Sequence, residues 1–196
     1  MLRALYVRRI GAALLLLVAL LPTADTAAST VEGLSLEELI ARAHTIVVGE
    51  IVWQETVVGA DGMIRTWSRV RVDERLRGDA VGGDEVLVET LGGQVGRLVM
   101  QVPGEPRFSI GEKVVVFARE IGVGGLHPVG MAQGVVRVSL EDGVETAMPS
   151  LEGLLLVRRG AGGGLTKSTG PLAENEPLAM FLTRVRDIAE SQGRAP

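Results

Sequence analysis

The stretch "ETLGGQVGRLVMQV", Glu89 to Val102, decides the fold class, because its glycines can either open a helix around an anion or bend a strand. A phosphate cradle of the dinucleotide or P-loop kind needs its glycines at the start of a helix, whose free amides and dipole hold the charge. Here the spacing is Gly-Gly-x-x-Gly, and no Lys-Ser or Lys-Thr pair follows. Val95, Leu98, Val99, Met100 and Val102 then run on to a stop at Pro103, with no helical spacing. Gly92-Gly93 is therefore read as supplying the positive φ angles of a two-residue hairpin turn, and its surroundings as antiparallel β-structure.

Upstream, Thr45 to Trp53 is β-branched and apolar on both faces, as a central strand is, with Gly49 marking a bulge or a close backbone approach. After a turn at Gly59-Ala60-Asp61-Gly62, the chain alternates from Ile64 to Leu76. Ile64, Val70, Val72 and Leu76 take one side and Arg65, Trp67, Arg69, Arg71 and Arg75 the other. A turn through Arg77-Gly78-Asp79 and Gly82-Gly83 leads to a strand from Glu85 to Leu91. Pairing Leu76 with Val86 sets Arg77 opposite Glu85 and Glu89 diagonal to Arg71 and Arg75.

Downstream, Lys113 to Ala118 reads as a buried strand. Val135 to Leu140 pairs with Val144 to Met148 across Asp142-Gly143, a strong hairpin signal, and Leu154 to Val157 can add an edge strand. Two helices flank the strands. Ser35-Leu36-Glu37-Glu38 is a capping box that starts a short helix with Leu36, Leu39, Ile40 and Ala43 on one face. Leu178, Phe181, Leu182, Val185 and Ile188 mark an amphipathic helix opened by Pro177 and closed near Gly193.

The first residues read as an export leader: Arg3, Arg8 and Arg9 precede an apolar run from Ile10 to Leu21, then Pro22 and the small residues Ala24, Ala27 and Ala28. The run is shorter than the roughly 20 apolar residues a bilayer span needs, so cleavage near Ala28 and no remaining membrane span are expected. The organisation expected is a signal peptide over 1–28, a β-barrel domain over 29–158, a flexible Gly/Ser/Thr-rich linker over 159–174 and a C-terminal helix over 175–192 on or near the barrel. The product works in the periplasm or outside the cell.

The chain is acidic, net −4, and losing the leader removes three arginines against one aspartate. That balance argues against a nucleic-acid partner, whose affinity rests on neutralising phosphates. There is no cysteine, so neither disulfides nor thiol chemistry are available.

Arg65, Trp67, Arg69 and Arg71 form the candidate ligand surface, since arginines repeat at strand spacing beside a stacking aromatic; a solvated face whose charges are paired across strands is the competing reading. No metal and no cofactor are expected, because His44 and His127 are the only histidines and neither has a second ligand at zinc spacing. No Gly-x-Ser-x-Gly is present, and Ser109, Ser139 and Ser150 lack an adjacent base in sequence, so a catalytic triad would have to assemble in space.

The segments "SLEEL", "ARAHTIVVGEIV", "WSRVRVDERLRGD", "EVLVETLGG", "FSIGEKVVVFA" and "VGMAQGVVRV" resemble a family of exported bacterial β-proteins of unassigned function, over about residues 34 to 148. More remotely, the order of helix, Val-Val-Gly-x-Val strand, long strand ending in Leu-basic-Gly and Gly-Glu-basic-apolar strand resembles the netrin-like domain of metalloproteinase inhibitors. That resemblance implies a small antiparallel OB-like barrel. Those inhibitors reach the protease zinc through an N-terminal cysteine, which this chain lacks, so their mode of inhibition does not carry over.

The expectation is a mostly β, OB-like or netrin-like barrel with flanking helices. Its function is that of a non-enzymatic binding or scaffold domain with a protein or envelope partner. Two alternatives stand beside it: a secreted hydrolase or protease-associated protein with a site assembled in space, and a binder of anionic polysaccharide or envelope surface through the Arg/Trp face.

Overall fold

A computed structural model describes residues 28–78, 85–122, 125–160, 162–172 and 174–193. The leader read over residues 1–28 lies outside these apart from Ala28, as does the Gly82-Gly83 part of the turn after Arg77. In chain order the elements are β1 (Ser29–Glu32), α1 (Leu36–Arg42), β2 (Thr45–Val58), β3 (Ile64–Arg77), β4 (Glu85–Leu91), β5 (Gly93–Val95) and β6 (Leu98–Met100). There follow β7 (Lys113–Ile121), β8 (Gly125–Pro128), a 3-10 turn (Met131–Gly134), β9 (Val135–Glu141), β10 (Val144–Pro149), β11 (Leu154–Arg159), β12 (Leu165–Lys167), β13 (Glu176–Pro177) and α2 (Leu178–Gly193).

Five strands close a ring. β2, β3 and β4 form an antiparallel meander, β7 returns antiparallel to β2, and β8 turns back along β7 to meet β4 in parallel. This is the strand order of an OB barrel. β7 shares one edge between two partners: Ala118–Ile121 pairs with β8 and Lys113–Val116 with β9, the 3-10 turn separating them. From β9 the sheet runs outward through β10 to β13.

Both faces of β2 and β7 are apolar because each faces a core of its own. Val47, Ile51, Val114, Val116 and Ala118 point into the barrel with Val70, Val88, Phe108, Leu126 and Val135. Ile46, Val48, Val115 and Phe117 point outward beneath the two helices and meet Leu36, Leu39, Ile40, Phe181, Leu182 and Val185. The capping box of α1 is present, with the Glu38 amide donating to Ser35 Oγ at 3.3 Å and the Ser35 amide donating to Glu38 Oε2 at 2.8 Å. The carboxylates at this helix start are held below their ordinary range chiefly by backbone hydrogen bonds, as Glu37 and Glu38 both show.

A second, three-stranded sheet has β11 at its centre, parallel to β1 and antiparallel to β12. Fully buried Gln133 ties it to the barrel: its Oε1 accepts from the Leu34 amide at 2.8 Å and its Nε2 donates to the Glu32 carbonyl at 3.1 Å. Within 159–174, expected to be a flexible linker, the chain forms β12 and buries Pro171 and Leu172. Its glycines give way here to residues that complete a sheet edge and reach the helix-side core.

Three local expectations need correction. The hairpin turn is not at Gly92-Gly93. Those residues do have positive φ, 101° and 132°, but they carry the chain from β4 into β5, with the Gly92 amide still donating to Ile64 O at 2.8 Å; the two-residue turn is Gly96-Arg97, between Val95 and Leu98. The β3–β4 register differs as well: Val70, not Leu76, lies opposite Val86, and Arg71 rather than Arg77 lies opposite Glu85. Finally, β3 bulges against β2 on either side of Glu74 and Arg75, and Leu76 joins the helix-side core instead of the barrel interior. The Asp142-Gly143 hairpin forms as read, with Glu141 opposite Val144.

Candidate functional site

The inward face of the barrel changes character along its length. Val70 and Val88 at the centre give way to Ser68, Thr66 and Thr90 toward one end, joined there by Gln54 and Thr56 from the half of β2 that has lost β7 as a neighbour. Gln54 Nε2 donates to Ser68 Oγ at 3.0 Å and to the Phe108 carbonyl at 3.2 Å, Thr56 and Thr66 share a hydroxyl contact at 3.0 Å, and Thr66 Oγ1 donates to Gly92 O at 2.8 Å. Phe108 sits at the floor and also belongs to the barrel core. The β5–β6 hairpin and the segment from Gln101 to Phe108 wall off a cavity of about 350 Å³. Arg107 is the one charged residue in its lining.

Close approach of the backbone is built into this mouth. A Cβ on Gly93 would lie 2.6 Å from both Thr56 Cγ2 and Thr66 Oγ1, so only glycine lets the hairpin fold this tightly over the barrel. A second cavity of about 260 Å³ continues along the same segment, sharing Gln101, Val102, Pro106 and Arg107. Arg137 borders it, donating to Ser150 Oγ at 3.1 Å and to the Arg107 carbonyl at 2.7 Å and forming an ion pair with Glu112.

Next to the mouth is the seam where the ring closes. β4 and β8 share a single backbone pairing, Val88 with Leu126. Beyond it, side chains replace the ladder: His127 Nδ1 lies 3.1 Å from the Glu89 carbonyl, and the Leu91 amide donates to Glu105 Oε2 at 3.2 Å. The two side chains meet, with His127 Nε2 3.6 Å from Glu105 Oε1, a contact that becomes attractive when either group holds a proton. Burial raises the Glu105 carboxyl above its ordinary pKa of 4.5; the charges on His127 and Glu89 act in opposite senses and the Leu91 hydrogen bond opposes the rise.

Because the folded-state value lies above the unfolded one, the neutral form of Glu105 favours the fold. Its contribution is complete below about pH 4.5 and is lost as pH rises through the folded value. Urea midpoints measured between pH 5 and 8 should therefore rise toward the acid side in the wild-type protein and rise less in Glu105→Gln, which keeps the shape and cannot ionise. Parallel curves for the two proteins would show that the fold does not raise the pKa of this carboxyl.

The sequence-predicted site residues lie together on the outer face of β3, each arginine with a partner. Arg65 forks onto Asp61 with contacts of 2.8 and 2.6 Å and approaches Glu89 at 3.4 Å, holding the Asp61 carboxyl far below the usual range. Arg69 meets Glu85 at 3.4 Å and stacks over Trp53, 4.9 Å from the ring centre. Arg71 meets Glu50 at 2.5 Å. Trp67 lies across the start of β8, where a Cβ on Gly125 would fall 2.7 Å from its ring. The face is thus paired charge for charge, though with different partners from those the expected register implied.

His44 is exposed beyond the end of α1. Among the described residues no hydroxyl contacts His127, and Ser150 is engaged by Arg137. No group of three or more His, Cys, Asp or Glu could hold a metal ion among them, and no helix is long and apolar enough to cross a membrane.

Sequence reasoning missed the mouth and the seam. Thr56, Thr66 and Thr90 alternate correctly for inward positions, which was the available signal; nothing local marks Glu105, in a Pro-Gly-Glu-Pro loop, as the partner of His127. No protein-family model matches the chain, and no curated protein matches it in sequence.

Proposed function

We propose that the protein is an exported, non-enzymatic binding module that holds a polar ligand at the mouth of its barrel. The observation that carries this reading is the cavity lined by Gln54, Thr56, Thr66, Thr90 and Gln94 above the Phe108 floor. Hydroxyl and amide groups converging on an open barrel end suit a ligand recognised by hydrogen bonds over an apolar base. The leader-like N-terminus supports export to the periplasm or beyond. The absence of a hydroxyl at His127 among the described residues gives a hydrolytic role no nucleophile there.

Binding to an anionic polysaccharide or envelope surface through Arg65, Trp67, Arg69 and Arg71 draws less support, because each guanidinium is already matched by a carboxylate. Saturation-transfer NMR against a panel of short peptides and oligosaccharides separates the two sites. Gln94 is exposed and lines the cavity, so Gln94→Trp should cover the mouth, abolish transfer to ligands seen with the wild-type protein and leave the melting temperature within about 2 °C. Ligands that survive Gln94→Trp and are lost in Arg69→Glu plus Arg71→Glu would move the function to the arginine face.

A further inference from the structure

The β5–β6 hairpin leaves a strand edge open beside the larger cavity. Val95 and Leu98 flank its two-residue turn, which makes them a hydrogen-bonded pair; alternation then makes Gln94 and Val99 the non-hydrogen-bonded pair, so the N–H and C=O of Val99 point away from β5. β6 has no other strand partner among the described residues. Leu98 and Val99 are 61% and 58% exposed, an unusual degree for two consecutive apolar residues on a free edge, since such edges are normally shielded by charge or proline.

From β6 the chain continues through Gln101 and Val102, which line both cavities, to Arg107 where they adjoin. The side chains of Gln101 and Arg107 have no hydrogen-bond or ion-pair partner among the described residues. Arg107 therefore differs from Arg65, Arg69 and Arg71, whose charges are answered.

A free backbone edge is satisfied by another backbone, and pockets beside it select alternate side chains. We propose that β6 binds an extended acidic polypeptide segment as an added strand, its backbone pairing at Val99, one side chain entering the mouth cavity and a carboxylate reaching Arg107. The proposal rests on the reading of the mouth as the binding site and names the ligand class. A second copy of the chain offers the same backbone, but from Gly93 to Arg107 its one carboxylate is the buried Glu105, so it has none to bring to Arg107 and charge favours a distinct, acidic partner.

The probes are two acetylated hexapeptides of alternating threonine and valine, one ending in two glutamates and the other in two lysines, titrated into isotope-labelled protein. The acidic peptide should shift the Val99 and Gln101 amide signals saturably and slow amide exchange at Val99 at least fivefold, and it should bind at least tenfold tighter than the basic one. Arg107→Ala should remove that preference without altering the melting temperature. Val99→Pro deletes the outward N–H without breaking a β5–β6 hydrogen bond, and should weaken the acidic peptide at least fivefold. Val99→Ala, which trims the same cavity-lining side chain and keeps the N–H, should weaken it less.

Shifts at Thr56, Thr66 and Thr90 with unchanged exchange at Val99 would overturn strand addition while leaving the mouth as a binding site. Equal affinity for the two peptides would overturn the acidic assignment. No response at any of these positions from either peptide at millimolar concentration would overturn the proposal, while ligands found for the mouth by the panel screen would still uphold the broader reading. Concentration-dependent dimerisation abolished by Val99→Pro would replace it with self-association.

Discussion

Phe181→Ala is expected to lower the stability of the protein by about 3–5 kcal/mol, the range for emptying a large aromatic site in a core. Phe181 is fully buried, and its ring meets Phe117 edge-on, with centroids 6.2 Å apart and planes at 74°. The loss combines the burial of the ring with an aromatic contact between α2 and β7, a strand with a face in each core. Against total stabilities of roughly 5–15 kcal/mol, the fall should appear as a drop on the order of 10 °C in melting temperature. Met180, next along the helix and 61% exposed, is the control. Met180→Ala should melt close to the wild-type protein, and a Phe181→Ala variant that melts alongside it would mean that α2 is dispensable to the fold.

The second large effect is expected at Gly49. A Cβ there would lie 2.2 Å from the Arg71 carbonyl oxygen and 2.8 Å from Val70 Cγ1, so any side chain forces β2 away from β3 at the bulge beside Gly49. Because the obstruction is backbone, it cannot be relieved by a rotamer change. Gly49→Val should cost about 3 kcal/mol, at the upper end of ordinary overpacking penalties, and Gly49→Ala somewhat less. At Gly122 an added Cβ meets nothing within 4 Å, and Gly122→Ala should leave urea midpoints unchanged. If Gly49→Val unfolds at the wild-type midpoint, the two strands do not approach this closely.

Gly49 was legible as a bulge because a glycine inside a β-branched run has few other uses. The capping box and the Asp142-Gly143 hairpin were legible for the same reason: each is specified by neighbours a few residues away. The apolar character of both faces of β2 marked it as central, though not that one face would line a barrel and the other lie under helices. Register was less accessible. An even-numbered slip keeps every apolar residue of β3 on its own side, so alternation alone could not choose between Leu76 and Val70 as the partner of Val86, and the bulges around Glu74 and Arg75 break the alternation that the reading assumed.

The candidate site was legible in part. Arginines at strand spacing could be placed on one face, and their neutralisation by carboxylates was foreseeable in kind. The individual partners depended on the register: Glu85 answers Arg69, and Glu50 on the preceding strand answers Arg71. The polar mouth required knowing which end of the barrel lacks β7, a property of strand lengths in three dimensions. The seam required knowing that the pairing of β4 with β8 would end at Val88 and Leu126, leaving a histidine and a glutamate to meet the backbone groups of Glu89 and Leu91.

The parallel pairing of Ser29–Glu32 with Leu154–Val157 joins stretches 125 residues apart, and Gly33 is fastened to Arg158 over the same interval. Neither stretch can pair until the intervening barrel has brought them together, so β1 stays unpaired while the barrel is made and joins β11 late, after a long loop has been closed. Refolding should accordingly show amide protection arriving at Val31 after Val47 and Val115, a lag set by topology alone.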